Sequence, residues 1–350
     1  MFAKRIAKTE KVSGGNMRLR RALSKILMFL FYASASQVLA KSDALTVMVF
    51  AGVQNLPIIA AQEQGYFRRQ NIEVDVRIAP NSLELRNGLA EGRYQIVHTS
   101  VDNAVAMAEQ SGVDILVFLG GDNGFNNIYV QPNIAKISDL RGKTVTVDAP
   151  DTAFAIMLYR MLELNGLKKG DYQVKPVGAT RFRLDGLVND KSHSAALLNL
   201  PFSIQAERAG LRDLGIAVNS VGPYLSTTGF TLRTWAPTNR GLLERYTQAY
   251  VEGLRWTLNQ ANKKTAIEYL SKRLSLSDDI SQRSYEIATD PNTGFDVDGR
   301  VNLAGFRNVL KLRAEILGTW GGKPPEPSKY LDLSYWEEAL KRLDSGHRGN

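Results

Sequence analysis

Cysteine is absent from the 350 residues. Disulfides, thiolate nucleophiles and cysteine-based metal sites are therefore excluded. An exported protein can do without disulfides when its core is large, and a chain of this length can bury one. Histidine is scarce: only His98, His193 and His347 occur, and their spacing matches no metal-ligand pattern. The nucleophile elbow Gly-x-Ser-x-Gly, the phosphate loop and the zincin helix are all missing. Gly120-Gly121 stands without the rest of a dinucleotide fingerprint. The stretch from Asp290 to Gly299 has a calcium-like composition, but Val301 occupies the position where such a loop ends in an acid. It reads as a turn. No repeat of solenoid type is present, and no apolar run of membrane length follows the amino-terminal region.

What is present begins with a leader. Met17 to Lys25 is strongly basic, Ile26 to Ala33 is apolar, and Ser34 to Ala40 is small and mixed. Val38 and Ala40 suit the −3 and −1 subsites of a signal peptidase. Residues 1–40 are therefore expected to be a leader with a signal peptide, cleaved after Ala40. Either Met1 or Met17 serves as the start in this reading. No cysteine follows the apolar run, so a lipid-anchored form is excluded. Export also changes the charge. The whole chain carries +9, from 44 basic and 35 acidic residues. Residues 1–40 hold eight of the basic residues and one of the acidic ones, so the remainder is close to neutral. A nucleic-acid partner then loses its electrostatic basis.

The remaining chain alternates strands and helices. Leu45–Phe50 reads as a buried strand, and Pro57–Gln64 as a helix stopped by Gly65. Ile72, Val74, Val76 and Ile78 alternate with Glu73, Asp75 and Arg77, which marks a strand with one wet face. Helix Ser82–Glu91, strand Tyr94–His98, a helix after Ser100 and strand Ile115–Leu119 follow. A second series has strands at Thr144–Val147, Tyr172–Val177 and Ala195–Leu198, with a weak one near Ile216. Helices from Thr152, Arg181 and Pro201 separate them. Beyond Thr238 the chain reads as mostly helical. Repetition of strand, helix and strand implies largely parallel sheets covered by helices.

Three segments, in order, resemble a known family. They are Asn55-Leu56-Pro57-Ile58-Ile59-Ala60-Ala61-Gln62-Glu63-Gln64-Gly65-Tyr66-Phe67, then Asn87-Gly88-Leu89-Ala90-Glu91-Gly92-Arg93-Tyr94, then Ile137-Ser138-Asp139-Leu140-Arg141-Gly142-Lys143. They are similar to the NMT1/THI5-like periplasmic binding proteins, a group that includes nitrate, sulfonate or taurine, and pyrimidine-precursor binders. The resemblance implies an α/β, two-lobed periplasmic binding protein fold of type II-like topology, with mixed sheets flanked by helices and a cleft between the lobes. One lobe is expected at 41–124 and 229–350, the other at 125–228. It further implies a periplasmic component of an ABC importer, for which a monomer is the simplest arrangement. The permease and the ATPase would be separate chains, and no cofactor is expected. The alternatives are a sulfonate- or nitrate-type anion binder, an enzyme related to pyrimidine-precursor synthesis, and a sensory binding protein. Such enzymes use a cysteine-rich segment, which this chain lacks.

In open α/β sheets the ligand crevice lies outside the carboxyl ends of the strands. Candidate contacts are therefore Gln54 and Asn55 after the first strand, Asn81 after the second, Ser100 and Asp102 after the third, and Asp122 after the fourth. In the second series they are Asp151 and Thr152, then Asn199 and Phe202, with Tyr224 on the return. Phe125 is a candidate apolar wall. Asn55, Asn81, Asp102 and Asp151 each have an ordinary alternative role at a helix start. Asp102, Asp122 and Asp151 together point away from nitrate or sulfonate and toward a neutral or cationic, ring-containing solute. Arg181 or Arg183 in the cleft would reverse that. Intact-mass measurement of the exported protein is expected to place its new amino terminus at Lys41. Retention of residues 17–40 would identify an uncleaved anchor instead.

Overall fold

The computed structural model describes residues 42–291 and 293–346. The leader and its cleavage point lie outside the described residues. The residues from Ser42 onward pack as one unit. Ten strands form two five-stranded sheets.

The first sheet has the order β2-β1-β3-β10-β4. Its strands are β1 (Asp43–Val49), β2 (Ile72–Ile78), β3 (Ile96–Ser100) and β4 (Ile115–Leu119). The second sheet uses β5 (Asn127–Val130), β6 (Thr144–Val147), β7 (Gln173–Pro176), β8 (His193–Leu198) and β9 (Arg212–Ile216), in the order β7-β6-β8-β5-β9. The chain then returns as β10 (Thr227–Leu232), which completes the first sheet.

Sequence character explains these placements. β4 is buried along its whole length, as its apolar run requires, and β3 is buried equally although it ends in His98, Thr99 and Ser100. β2 alternates and sits at an edge, where Glu73, Asp75 and Arg77 keep it from pairing further. The expected parallel pairing holds for β1 with β2 and β3, and for β6 with β7 and β8. The sheets are nonetheless mixed, because β10 runs antiparallel to both β3 and β4, and β5 runs antiparallel to both β8 and β9. β9 ends at Ile216, so it overlaps the weak strand expected near that residue only at its end, and a helical turn follows at Val218–Val221. β5 and β10 are strands that the sequence pattern did not mark.

One hydrophobic cluster runs through both sheets. It joins Val97, Val117 and Phe230 of the first to Ile128, Val145 and Leu197 of the second. Val105, Leu158 and Val309 add helices Val101–Ser111, Ala153–Leu164 and Leu303–Leu317 to it. A second cluster covers the other face of the first sheet. There Val47, Leu116 and Phe118 meet Leu56, Tyr246, Tyr250 and Tyr285. His98 is buried in this layer. Its Nε2 lies 3.0 Å from the Tyr246 hydroxyl, and its ring stacks on Tyr250 at 4.8 Å. Burial lowers its pKa to about 3, so it stays neutral. Among the described residues, no helix is long and apolar enough to cross a membrane.

The 19-residue helix Arg240–Leu258 lies against helix Leu56–Glu63 so closely that Gly253 has no room for a side chain. A Cβ there would stand 2.3 Å from the Pro57 carbonyl oxygen and 2.9 Å from the Ala61 backbone nitrogen. Backbone cannot yield as a flexible side chain can. Gly253→Ala should therefore destabilise the protein by about 1–2 kcal/mol, because overpacking outweighs the gain of roughly 1 kcal/mol in helix propensity. Urea unfolding checks this, and a stabilised variant would refute the close approach.

Candidate functional site

A cavity of ≈ 60 Å³ lies between the two sheets. Its walls are the loops at the carboxyl ends of strands from both sheets. Phe50 and Gln54 follow β1, and Ser82 follows β2. Thr99, Ser100 and Asn103 sit where β3 turns into its helix, and Asp122, Phe125 and Asn126 lie between β4 and β5. From the second sheet come Asp148, Thr152, Ala153 and Phe154 after β6, and Ala179, Thr180 and Arg183 after β7. Asn199 follows β8, Ser226 precedes the return strand and Thr227 begins it.

The base of the cavity is where the chain crosses twice between the sheets. Ser226 N donates to Asp122 O at 2.9 Å, and Asp122 N donates to Thr227 O at 3.4 Å. Gly121 permits this contact, since a Cβ would lie 2.6 Å from Thr227 O. At Gly120 a Cβ would lie 2.1 Å from Arg300 O. The paired glycines are packing requirements here.

Two carboxylates and one guanidinium line the cavity. Asp122 is 2% exposed. Its Oδ1 accepts from Gly124 N at 2.9 Å, while Oδ2 makes no hydrogen bond with a described residue. Burial raises its pKa, opposed by the nearby Thr227 and Ser226 hydroxyls and by the Gly124 and Thr227 N–H groups; neither hydroxyl stands at full hydrogen-bond geometry to Oδ2. Asp148 Oδ2 accepts from Ser82 N at 3.1 Å, and its Oδ1 likewise has no partner among the described residues. Arg183 is buried but donates only to neutral acceptors. Nη1 reaches Gly178 O at 2.8 Å, and Nη2 reaches Thr180 Oγ1 at 2.9 Å and Leu197 O at 3.3 Å. Nε also points to Leu197 O, at 3.4 Å. Burial lowers its pKa to about 10, opposed by the charge of Asp148. Its Cζ lies 5.5 Å from the centre of the Phe154 ring. Asn103 Oδ1 and Asn199 Oδ1 are two more buried acceptors without a partner among the described residues, and Asn126 Nδ2 is a donor in the same position. Asn199 Nδ2 donates to Gln54 Oε1 at 3.1 Å, which ties the end of β8 to the loop after β1.

Of the residues expected from the sequence, Gln54, Ser100, Asp122, Thr152 and Asn199 line this cavity. The others stand outside it. Asn55 Nδ2 donates to Phe50 O at 2.7 Å and so shapes the first loop. Asn81 caps helix Ser82–Ala90 by accepting from Glu84 N at 2.8 Å. Asp102 is buried in a two-pronged ion pair with Arg313, both contacts at 2.7 Å. Asp151 meets Arg86 at 3.4 Å, and its carbonyl accepts from Arg313 Nη2 at 2.8 Å. Phe202 packs with Tyr129, Leu184 and Leu198. Tyr224 is buried in the large cluster, with Gly305 against its backbone. Phe125 forms an apolar wall, as expected, and Arg183 rather than Arg181 enters the lining.

Sequence reasoning passed over Asp148, although it is the first acid after a strand and obeys the same carboxyl-end rule. It also passed over Phe50, Ser82, Asn103, Asn126, Phe154 and the Ser226-Thr227 return. Among the described residues, no group of three or more His, Asp or Glu is placed to hold a metal ion.

Residues 53–263 match the model of the family described as NMT1/THI5 like. No curated protein sequence matches the chain. In structure it is similar to the periplasmic nitrate-binding protein NrtA from Synechocystis PCC 6803, with a TM-score of 0.71 and 14% identity, over 87% of this chain and 90% of that one. It is also similar to the alkanesulfonate-binding protein SsuA from Xanthomonas axonopodis pv. citri bound to MOPS, with a TM-score of 0.67 and 15% identity, over 84% and 99%. The desulfurization enzyme DSZB gives a TM-score of 0.62 and 13% identity, over 86% and 99%. At such identities the likeness establishes the fold, which is that of periplasmic binding proteins.

The raised pKa of Asp122 has a consequence for stability. An acid whose folded-state pKa lies above its unfolded value favours folding most at low pH, and that contribution fades as pH rises through the folded-state pKa. Asp122→Asn should therefore raise the melting temperature by a few degrees at pH 8, and the gain should shrink toward pH 4. A gain that is constant with pH would show that Asp122 is not buried as a costly charge.

Proposed function

Because the chain belongs to the NMT1/THI5-like family, we propose that it captures a small organic solute in the periplasm for an ABC importer. The permease and ATPase would be separate chains, and the captured solute would sit between two lobes, one on each sheet. The chain passes between the sheets after β4 and again before β10, which supports lobe boundaries near residues 124 and 228. The observation that carries this reading is the cavity itself. Strand ends of both sheets converge on it with buried polar atoms that have no partner among the described residues. A buried polar atom without a partner is costly, so such a set suits a ligand that supplies the missing bonds.

The lining supports a neutral or cationic solute with a ring. Phe50, Phe125 and Phe154 offer aromatic surface, and the unpartnered side-chain atoms are mostly acceptors. Arg183 is the one feature favouring an oxyanion, yet its N–H groups are directed at Gly178, Thr180 and Leu197. Catalysis finds less support. Neither His98 nor His193 lines the cavity, so its serines and threonines have no imidazole base there. The near-neutral charge beyond residue 40 leaves no basis for a nucleic-acid partner.

A thermal-shift screen of residues 41–350 tests the proposal, with calorimetry of the hits. It should span amino acids, polyamines, pyrimidines, flavins, aromatic carboxylates, sulfonates and nitrate. A solute at a hundred times its Kd is expected to add about 2.7 kcal/mol of stability. Chemical turnover of a hit would identify an enzyme. Binding to a protein partner with no response to any solute would identify a signalling module.

A further inference from the structure

The cavity is lined by one carboxylate from each sheet, and each has spent one oxygen internally. Asp122, after β4, uses Oδ1 to accept from Gly124 N at 2.9 Å. Asp148, after β6, uses Oδ2 to accept from Ser82 N at 3.1 Å. The remaining oxygens, Asp122 Oδ2 and Asp148 Oδ1, are buried and make no hydrogen bond with a described residue. An asparagine can present either its oxygen or its nitrogen, but an ionised carboxylate has only acceptors to offer, and a cation beside Asp122 would favour that ionised form against the effect of burial. Arg183 offsets the charge of one carboxylate and leaves the other unbalanced. Both the donors and the charge that would complete the cavity belong to a monocation with N–H groups.

The two acids differ in what their internal bonds hold. The bond of Asp122 stays within its own loop. The bond of Asp148 crosses from the second sheet to the first turn of helix Ser82–Ala90, which follows β2 of the first sheet. The neighbouring bond from Ala179 N to Pro80 O, 3.1 Å, lies on the same seam. Asp148 thus touches the cavity with one oxygen and the opposite wall with the other.

We propose that the site takes a small monocation of the ammonium or amidinium class, and that Asp148 couples its capture to closure by holding the solute and Ser82 N at once. This rests on the solute-capture reading. It makes Asp148 a positioning residue as well as a solute contact, and Asp122 a solute contact only.

The test uses residues 41–350, which contain no native thiol, so spin labels on Glu73→Cys and Lys175→Cys report the distance between the two sheets without background. The probes are methylguanidine, benzamidine, its neutral counterpart benzamide, choline as a cation without N–H donors, taurine and nitrate. Methylguanidine or benzamidine should bind and shorten the label distance. Benzamide and choline should bind at least about 10-fold more weakly, in keeping with the worth of a charge-assisted hydrogen bond. Asp122→Asn should weaken the cations about 10- to 100-fold and leave the solute-free distance unchanged. Asp148→Asn should weaken them similarly and also lengthen the solute-free distance.

Ser82→Pro is a second route that spares both carboxylates. Proline is tolerated at a first helical position, and the extended backbone of Asn81 suits a following proline. It deletes the N–H that Asp148 holds. The solute-free distance should lengthen while the preference for benzamidine over benzamide persists. Equal binding of benzamide and benzamidine, or binding of taurine or nitrate alone, would overturn the cation assignment and leave solute capture standing. Unchanged distances in both Asp148→Asn and Ser82→Pro would overturn the coupling. Silence toward these probes and toward the whole solute library would remove solute capture itself, and this inference with it.

Discussion

The structure turns on how the chain returns to its first sheet. β10 is inserted between β3 and β4, so the chain must leave after β4, build five strands elsewhere and come back to an interior position. The two crossings are joined by backbone hydrogen bonds between Asp122 and the Ser226-Thr227 pair. Only glycine fits at 121 when the strands run this close. The same residues that close the sheet therefore floor the cavity. The Asp122 carboxylate stands there with Oδ1 held by Gly124 N.

Behind the cavity, charge is used differently. Asp102 and Arg313 are both fully buried, and the guanidinium also holds the carbonyl of Asp151. Ser100 and Asn103, on either side of Asp102, line the cavity, as does Thr152 beside Asp151. Arg313 thus fixes two walls at once from a helix that contributes nothing to the lining. A buried ion pair is a weak source of net stability, but loss of one member strands the other in a dry interior. Its value here is positional. It keeps helices Val101–Ser111 and Ala153–Leu164 at one spacing, so that the groups lining the cavity meet at one point.

Much of this was legible in the sequence, and the limits have physical causes. Apolar runs and alternation marked β1 to β4 and β6 to β8, because burial dictates composition there. β10 escaped because Thr227-Thr228-Gly229-Phe230-Thr231-Leu232 is half threonine and carries a glycine. Gly229 is required by neighbours distant in sequence, since a Cβ would press on Phe118 and His98. The carboxyl-end rule located Gln54, Ser100, Asp122, Thr152 and Asn199. It could not separate Asp102 from Asn103. Adjacent helical positions point about 100° apart, and which of them faces the cavity is decided by Arg313, over 200 residues away. Asp151 and Thr152 divide in the same manner, one turned to Arg86 and the other to the cavity.

The interior seat of β10 also orders events in time. During synthesis, residues 43–119 emerge with four strands of the first sheet but a gap between β3 and β4 that only residues 227–232 fill. Thr99 pairs with Thr228, so the chain must close a very long loop before that sheet has its hydrogen bonds. Such non-local pairing is slow to form. A nascent chain wired this way stays without a finished first domain until two-thirds of it has been made. Its first sheet therefore stays incomplete for longer than that of a chain whose strands pair in sequence order.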